Sequence, residues 1–317
     1  MTNLKLIACG MGLPKKVVTN EDMAKTVDTS DEWIYTRTGI RARRFCDEGE
    51  SNFTMALEAA KNAIAAAGIT PDEIGCVVCA TFTPDYLTPS LACLLQLHLG
   101  LSEDIPALDV NSACTGFIYA TTVARGFLDQ SDREYALVLG VEQLSRVVDM
   151  TDRATCVLFG DGGAAAIYKK SESAAFDSFL GAKGSTEITC GGISREIVPS
   201  PLWMNGKEVF RFAVGAMYRC ITDLMERNQL TWEDVDHVVC HQANARIIDR
   251  CIHKLKAPEE KFYKNMDHLG NTSAASIPLA IAELEEAGRI KAGDKLLLIG
   301  FGGGLTWGGA LITYGGK

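Results

Sequence analysis

Short apolar runs punctuate the chain: Gly75 to Ala80, Ala136 to Leu139 and Leu296 to Ile299. Runs of this length without polar alternation predict strands covered on both faces of a sheet. Ahead of such runs lie stretches rich in Ala and charge, Phe53 to Ala67 and Phe212 to Asn228, with helical patterning. Strands alternating with helices predict an α/β fold with largely parallel sheets.

The pattern occurs twice. Residues 69–79 read Ile-Thr-Pro-Asp-Glu-Ile-Gly-Cys-Val-Val-Cys, and residues 230–240, 161 positions on, read Leu-Thr-Trp-Glu-Asp-Val-Asp-His-Val-Val-Cys. The run Tyr135 to Gly140 matches Lys295 to Gly300 at an offset of 160. Two matches at nearly one offset predict a duplicated α/β unit, with halves at 1–171 and 172–317.

Composition narrows the classes. At 317 residues, 47% hydrophobic and 22% charged, the chain can bury a large core. A net charge of -9 argues against nucleic acid or an anionic membrane as the general partner. No apolar run reaches membrane-span length and the N-terminus lacks a signal-peptide core, so a soluble, cytoplasmic protein is expected. The 11 cysteines are scattered without disulfide spacing and read as mostly reduced, buried hydrophobes. Cys76 and Cys79 form a C-x-x-C inside an apolar strand, where residues three apart face opposite ways, so no metal site is expected.

One cysteine stands apart. In Asp109-Val110-Asn111-Ser112-Ala113-Cys114-Thr115-Gly116-Phe117 a short strand ends in a polar turn, and a nearly all-apolar helix runs on to about Leu128. A thiol at a helix start meets unpaired N–H groups and the helix dipole, which predicts a lowered pKa. A core cysteine is the plain alternative, and the motif alone leaves both readings open. The duplication weighs between them. Asp267 to Ala275 is the related stretch of the second half and puts Asn271 near the equivalent corner. His241 follows the other repeated strand, where the first half has Ala80.

These three residue types suit thioester chemistry. A thiolate can hold an acyl group. A neutral His Nε2–H and an Asn amide can then donate to one oxygen as a malonyl thioester loses CO₂ and becomes an enolate. The run Gly300-Phe301-Gly302-Gly303-Gly304 reads as a tight turn presenting a backbone N–H to the nucleophile, and its spacing does not fit a phosphate loop. Gly160-Asp161-Gly162-Gly163 reads as a structural turn between strands.

On these residues the chain resembles β-ketoacyl-acyl carrier protein synthase III, within the thiolase-like condensing enzymes, essentially end to end. Further matching strings are Asp28 to Ile34 with Thr36 to Ile40, Phe159 to Gly162, His241 to Asn244, Gly270 to Ala274 and Gly302 to Gly304. The resemblance implies a five-layer α-β-α-β-α sandwich made of two stacked halves. It implies Cys114, His241 and Asn271 as the catalytic triad, with the backbone N–H groups of Cys114 and Gly303 as oxyanion hole. Phe301 would sit by the active site. Trp33 and Arg153 would sandwich the CoA adenine, with Arg37 at the nucleotide end. Gly206, Phe210 and Asn244 would line the pantetheine tunnel. Several relatives carry Phe where this chain has Thr88, reaching across a dimer into the acyl pocket; the smaller side chain implies room for longer or branched primers.

An acidic enzyme meeting an acidic carrier needs a local patch of positive charge. After His241, Ile247, Ile248, Cys251, Ile252 and Leu255 form an apolar stripe, with Arg246, Arg250, His253 and Lys254 opposite. Arg211 matches another basic docking position of the family. The expected activity is decarboxylative condensation of an acyl-CoA primer with malonyl-acyl carrier protein, starting fatty acid synthesis. It would need no cofactor beyond the CoA thioester and no metal, and would run in a homodimer. The rivals are a secondary-metabolite ketosynthase of the same fold, a non-catalytic acyl-binding relative and a cysteine hydrolase.

Overall fold

The structure is a computed structural model that describes residues 2–192 and 201–316. Among the described residues nine strands form one hydrogen-bonded sheet: β1 (Asn3–Gly12), β2 (Ile74–Ala80), β3 (Ala107–Val110), β4 (Tyr135–Glu142), β5 (Gly162–Ser171), β6 (Phe176–Ala182), β7 (His237–Cys240), β8 (Lys295–Gly302) and β9 (Thr306–Tyr314). Their order is β7-β8-β9-β1-β5-β4-β2-β3, with β6 added against β9. The strand sequence β1-β5-β4-β2 pairs antiparallel, antiparallel, then parallel. The sequence β6-β9-β8-β7 pairs in the same three ways. A parallel bridge from Val238 to Phe262 occupies the place that β3 holds beside β2. The two arms meet where Lys5 pairs with Thr313 and Leu6 with Tyr314.

The sheet is therefore mixed, where the apolar runs alone predict largely parallel strands. The reason is local: β8 returns as β9 after only residues 303–305, and so short a connection closes only as an antiparallel pair.

Among the described residues seven helices are eight residues or longer: α1 (Asp31–Thr38), α2 (Asn52–Ala67), α3 (Leu91–Leu99), α4 (Gly116–Asp129), α5 (Gly206–Arg227), α6 (Ala245–Leu255) and α7 (Ser276–Glu286). Strand alternation sorts them into layers. Val77, Cys79, Leu137 and Leu139 pack under α2 and α3. Cys76, Val78, Ala136 and Val138 turn the other way, onto α4 and α7, which also receive Leu296, Leu298 and Ile312. Val238, Cys240, Leu297 and Ile299 face α5 and α6. The result is helix, sheet, helix, sheet, helix: a five-layer α/β sandwich. Cys76 and Cys79 lie on opposite faces of β2, as their spacing requires.

Candidate active site

Three chain corners converge at the central layer. Cys114 lies in a single 3₁₀ turn, Ala113–Thr115, that feeds directly into α4. Ala113 takes a left-handed φ of 44°, a conformation that costs a non-glycine residue about 1–2 kcal/mol and turns the next side chain sharply off the strand. Thr306 ties this turn to the glycine turn. Its hydroxyl donates to the carbonyl of Gly303 (2.9 Å) or Ser112 (3.2 Å) and lies 3.0 Å from the Thr115 hydroxyl. Gly302 is required there, because a Cβ at that position would stand 2.8 Å from the Cys114 Cβ and 2.9 Å from its N.

Asn271 is held by the backbone of the 158–160 segment. Its N–H donates to the Leu158 carbonyl (2.8 Å), and its carbonyl accepts from Gly160 N–H (3.0 Å). Gly160 has no room for a Cβ, which would meet the Leu269 carbonyl at 2.5 Å. Asp161 accepts from the N–H groups of Cys46 and Ser145 (2.8 Å each) and from the Ser145 hydroxyl (2.6 Å). Gly162 and Gly163 then begin β5. The segment read from sequence as a simple turn is the clamp that places Asn271. Oδ1 of Asn271 accepts from Ser273 N–H (2.9 Å), so its NH₂ group is the end left to donate.

Residues 271–276 match 111–116 at an offset of 160. Ser273 has φ 51° where Ala113 has 44°, and Asn111 Oδ1 accepts from Ala113 N–H (3.3 Å). The counterpart of Asn271 is therefore Asn111, and that of Cys114 is Ala274. Sequence pairing alone puts Asn271 itself near the Cys114 position; the repeated Asx turn sets the register three residues away.

His241 follows β7 and is buried, and burial pushes its imidazole pKa down to about 3, so it is neutral. Its ring meets Phe301 edge-on at 5.2 Å. Nδ1 lies 2.7 Å from the Ser276 hydroxyl, which is also 2.8 Å from the Ser273 carbonyl. One hydroxyl proton serves two acceptors. Given to the carbonyl, it leaves Nδ1 protonated and Nε2 an acceptor; given to Nδ1, it makes Nε2–H a donor.

The thiol departs from expectation. Burial raises the Cys114 pKa to about 12, against a lowering by the Ser273 hydroxyl and with a further raise from Glu142. Desolvation beside a carboxyl outweighs the helix start here, so a lowered resting pKa is not what this environment gives.

A cavity of about 250 Å³ joins Cys114, His241, Asn271, Phe301 and Gly303 with Gly206, Phe210 and Asn244. Its walls also include Gly302 and Ser273, which lie in motifs read from the sequence but carry no role of their own there. The doubled Asn-x-Ser/Ala pattern was the available signal for Ser273. A second cavity of about 380 Å³ shares Phe82, Ala113, Ile188, Leu202 and Gly303 with the first and extends past Cys190. Trp33, Arg37 and Arg153 lie outside both cavities but together. Arg37 stacks 4.5 Å and Arg153 4.8 Å from the Trp33 ring centroid. Arg153 also donates to the Asp28 carbonyl (2.7 Å), and Asn244 Nδ2 to the Arg37 carbonyl (3.0 Å). Arg246, Arg250, His253 and Lys254 are exposed on α6 while Ile247, Ile248, Cys251 and Ile252 are buried. Arg211, also exposed, pairs with Glu208 at 3.2 Å. Thr88 is exposed and borders neither cavity. Among the described residues no cluster is placed to hold a metal ion, and no helix is long and apolar enough to cross a membrane.

Comparison with known proteins gives one answer. Residues 108–184 match the family 3-oxoacyl-[acyl-carrier-protein (ACP)] synthase III, and residues 225–314 match its C-terminal counterpart. A β-ketoacyl-[acyl-carrier-protein] synthase III from Clostridium botulinum (strain Kyoto / Type A2) is 43% identical over 99% of both chains. The crystal structure of 3-oxoacyl-[acyl-carrier-protein] synthase III from Aquifex aeolicus VF5 superposes with a TM-score of 0.92 at 42% identity, covering 98% of this chain and 100% of that one. The priming β-ketosynthase of the R1128 polyketide pathway superposes at 0.93 with 32% identity, over 99% of this chain and 96% of that one.

Proposed function

The chain belongs to the 3-oxoacyl-[acyl-carrier-protein] synthase III family of condensing acyltransferases, and on that premise we propose that its cavity joins an acyl-CoA primer to malonyl-acyl carrier protein, the first condensation of fatty acid synthesis. One observation carries the reading: Cys114, His241 and Asn271, from three separate corners, line a single cavity.

Cys114 Sγ attacks the primer's carbonyl, and the oxyanion is held by the N–H groups of Cys114 and Gly303 until CoA leaves. Malonyl-carrier then enters. Its thioester oxygen takes hydrogen bonds from His241 Nε2–H and Asn271 Nδ2–H as CO₂ departs, and the resulting carbanion attacks the acyl-cysteine. A neutral imidazole suits a donor that must not protonate the carbanion, and burial keeps it neutral. Trp33, Arg37 and Arg153 take the nucleotide of CoA at the cavity mouth, the indole offering a stacking face already used by two guanidinium groups. The second cavity gives the primer's acyl chain somewhere to go. Arg211, Arg246, Arg250 and Lys254 receive the acidic carrier.

The two halves, 1–171 and 172–317, work as one catalytic body in a cytoplasmic homodimer. Tyr86 (58% exposed), Leu87 (74%) and Leu97 (73%) give the 81–90 loop and α3 an apolar surface suited to a second copy, next to Thr88. A Thr there would admit primers bulkier than acetyl. Incubation with a mixture of acyl-CoAs, followed by mass measurement of the Cys114 peptide, should find a stable acyl adduct on Cys114 that malonyl-carrier discharges as a 3-oxoacyl product. Strict acetyl selection would defeat the Thr88 reading. Free acid release without product would favour a hydrolase. Arg211→Glu and Arg246→Glu should raise KM for the carrier about tenfold and spare loading; equal damage to both steps would refute docking there.

A further inference from the structure

The triad leaves one buried ionisable group beside the nucleophile unused. Glu142 ends β4, fully buried. Gly140, two residues earlier, lets β4 run hard against the second corner, since a Cβ at Gly140 would overlap the Ala274 carbonyl. Glu142 is thereby delivered under Ser273. Its Oε2 accepts from the Thr83 hydroxyl (2.5 Å), Phe82 N–H (3.2 Å) and the Thr81 hydroxyl (3.3 Å). Its Oε1 accepts from Phe82 N–H (3.3 Å) and the Ser273 hydroxyl (3.5 Å). Asn52 Nδ2 braces the same threonines, lying 3.3 Å from the Thr81 and 3.4 Å from the Thr83 hydroxyl.

All these partners are uncharged. A buried carboxyl with neutral neighbours is expensive to keep ionised and is rarely placed for stability. Ser273 and Cys114 line the same cavity on turns that pack against each other, and the Ser273 hydroxyl favours the Cys114 thiolate. The hydroxyl therefore stands between a thiol that must lose a proton and a carboxyl that can take one.

We propose that Ser273 and Glu142 form a proton relay that activates Cys114 during primer loading, an inference that rests on the acyl-cysteine reading above. The thiol proton passes to Ser273 Oγ as the Ser273 hydroxyl proton passes to Glu142 Oε1. The thiolate attacks the thioester carbon, a carbon–sulfur bond forms to Cys114, and the bond to the CoA sulfur breaks. The relay then runs backwards, Glu142 returning its proton through Ser273 to the leaving sulfur, so that acyl-cysteine and neutral CoA thiol are the products. Nothing else is consumed. Burial raises the Glu142 pKa to about 8, against lowering by Thr83, Phe82 and Thr81, which puts it near working pH, where proton exchange is most effective. Its charge acts on two titratable neighbours, Cys114 across the Ser273 turn and Cys190 from the 188–192 segment, raising both.

The test separates the two half-reactions. Single-turnover acylation of Cys114 from acyl-CoA is followed against pH for the full-length enzyme, for Glu142→Gln and for Ser273→Ala, beside decarboxylation of malonyl-carrier without primer. Wild-type loading should rise with pH to a plateau near 8. Glu142→Gln cannot take the proton: loading should fall about 10²-fold at neutral pH and lose the limb near pH 8, with decarboxylation within about threefold of wild type, as general acid–base loss touches one step. Ser273→Ala should lose loading similarly, and it decides the matter if Glu142→Gln does not fold. A wild-type limb in the folded variants, or equal losses in both half-reactions, overturns the relay. Failure of the wild type to acylate at all would instead overturn the acyl-cysteine reading beneath it.

Discussion

The corner bearing Cys114 and the corner bearing Asn271 share one frame and differ in what hangs on it. Each has an Asn closing on the N–H two residues ahead, a left-handed non-glycine residue there, and one 3₁₀ turn into an apolar helix. Within that frame Cys114 stands where the other corner has Ala274. Gly116, whose Cβ would be 2.9 Å from the Ala80 Cβ, stands where the other has Ser276, 2.7 Å from His241 Nδ1. Glu142 lies under Ser273, and at the matching end of β8 Gly302 lies against Cys114. A tight apolar contact in one half is thus a buried hydrogen bond in the other. The shared turn supplies precision, and substitutions at matched positions divide the labour. In the reaction proposed above, one corner attacks and the other holds the developing negative charge.

The division is tested most severely by removing the second corner's donors. His241→Ala, which restores the residue of the first half, and Asn271→Ala should each slow decarboxylation and condensation by about 10²–10³-fold. Loading of Cys114 from acyl-CoA should persist in both, because that oxyanion is held by backbone N–H groups. Single-turnover measurement of each step decides it. Loss of loading to the same degree would mean the corners do not divide the chemistry.

Much of this was legible in the residues. The apolar runs located β2, β4 and β8, and their spacing exposed the repeat, because strands buried on both faces tolerate only apolar residues. Cys114, His241 and Asn271 were found as chain breaks at repeated corners. What escaped was set by distance in space. Glu142 follows an ordinary strand and acquires meaning only because Gly140 lets β4 meet the 271–276 turn. Ser276 looks like a helix-start serine until the hydrogen bond to His241 is seen. The thiol's raised pKa also needed the fold, since helix position argued downward while the surrounding protein and Glu142 argue upward. Mixed strand direction was hidden because a short glycine turn reads alike in many contexts.

Ser276 carries a smaller effect and sharpens the comparison further. Ser276→Ala removes the hydroxyl that contacts His241 Nδ1 and makes the second corner as apolar as the Gly116 contact of the first. The imidazole keeps its place against Phe301 but loses the hydroxyl whose orientation sets which nitrogen carries the proton. Condensation kcat should fall about tenfold, the size of one lost hydrogen bond to a buried group, with KM for the carrier and the loading rate unchanged. Decarboxylation at the wild-type rate would reduce Ser276 to packing alone.

The smallest effect is thermodynamic and follows from Ala80 having His241 as its counterpart. The buried imidazole stays neutral until about pH 3, whereas an unfolded one protonates near 6.5. Between those values the unfolded chain binds a proton that the folded chain does not, so stability falls as pH drops through 6.5 and continues to fall toward 3. From pH 7 to pH 6 this single group should cost about 0.7 kcal/mol, growing to about 1.4 kcal/mol per further pH unit. His241→Ala loses packing, which shifts its stability at every pH, but it should flatten the acid slope by that amount. Urea unfolding of both proteins at pH 7, 6 and 5 reads the difference in slopes, in which titrations common to both cancel. Parallel slopes would mean that His241 is already charged in the folded enzyme, and a charged imidazole would be a poor companion for a carbanion.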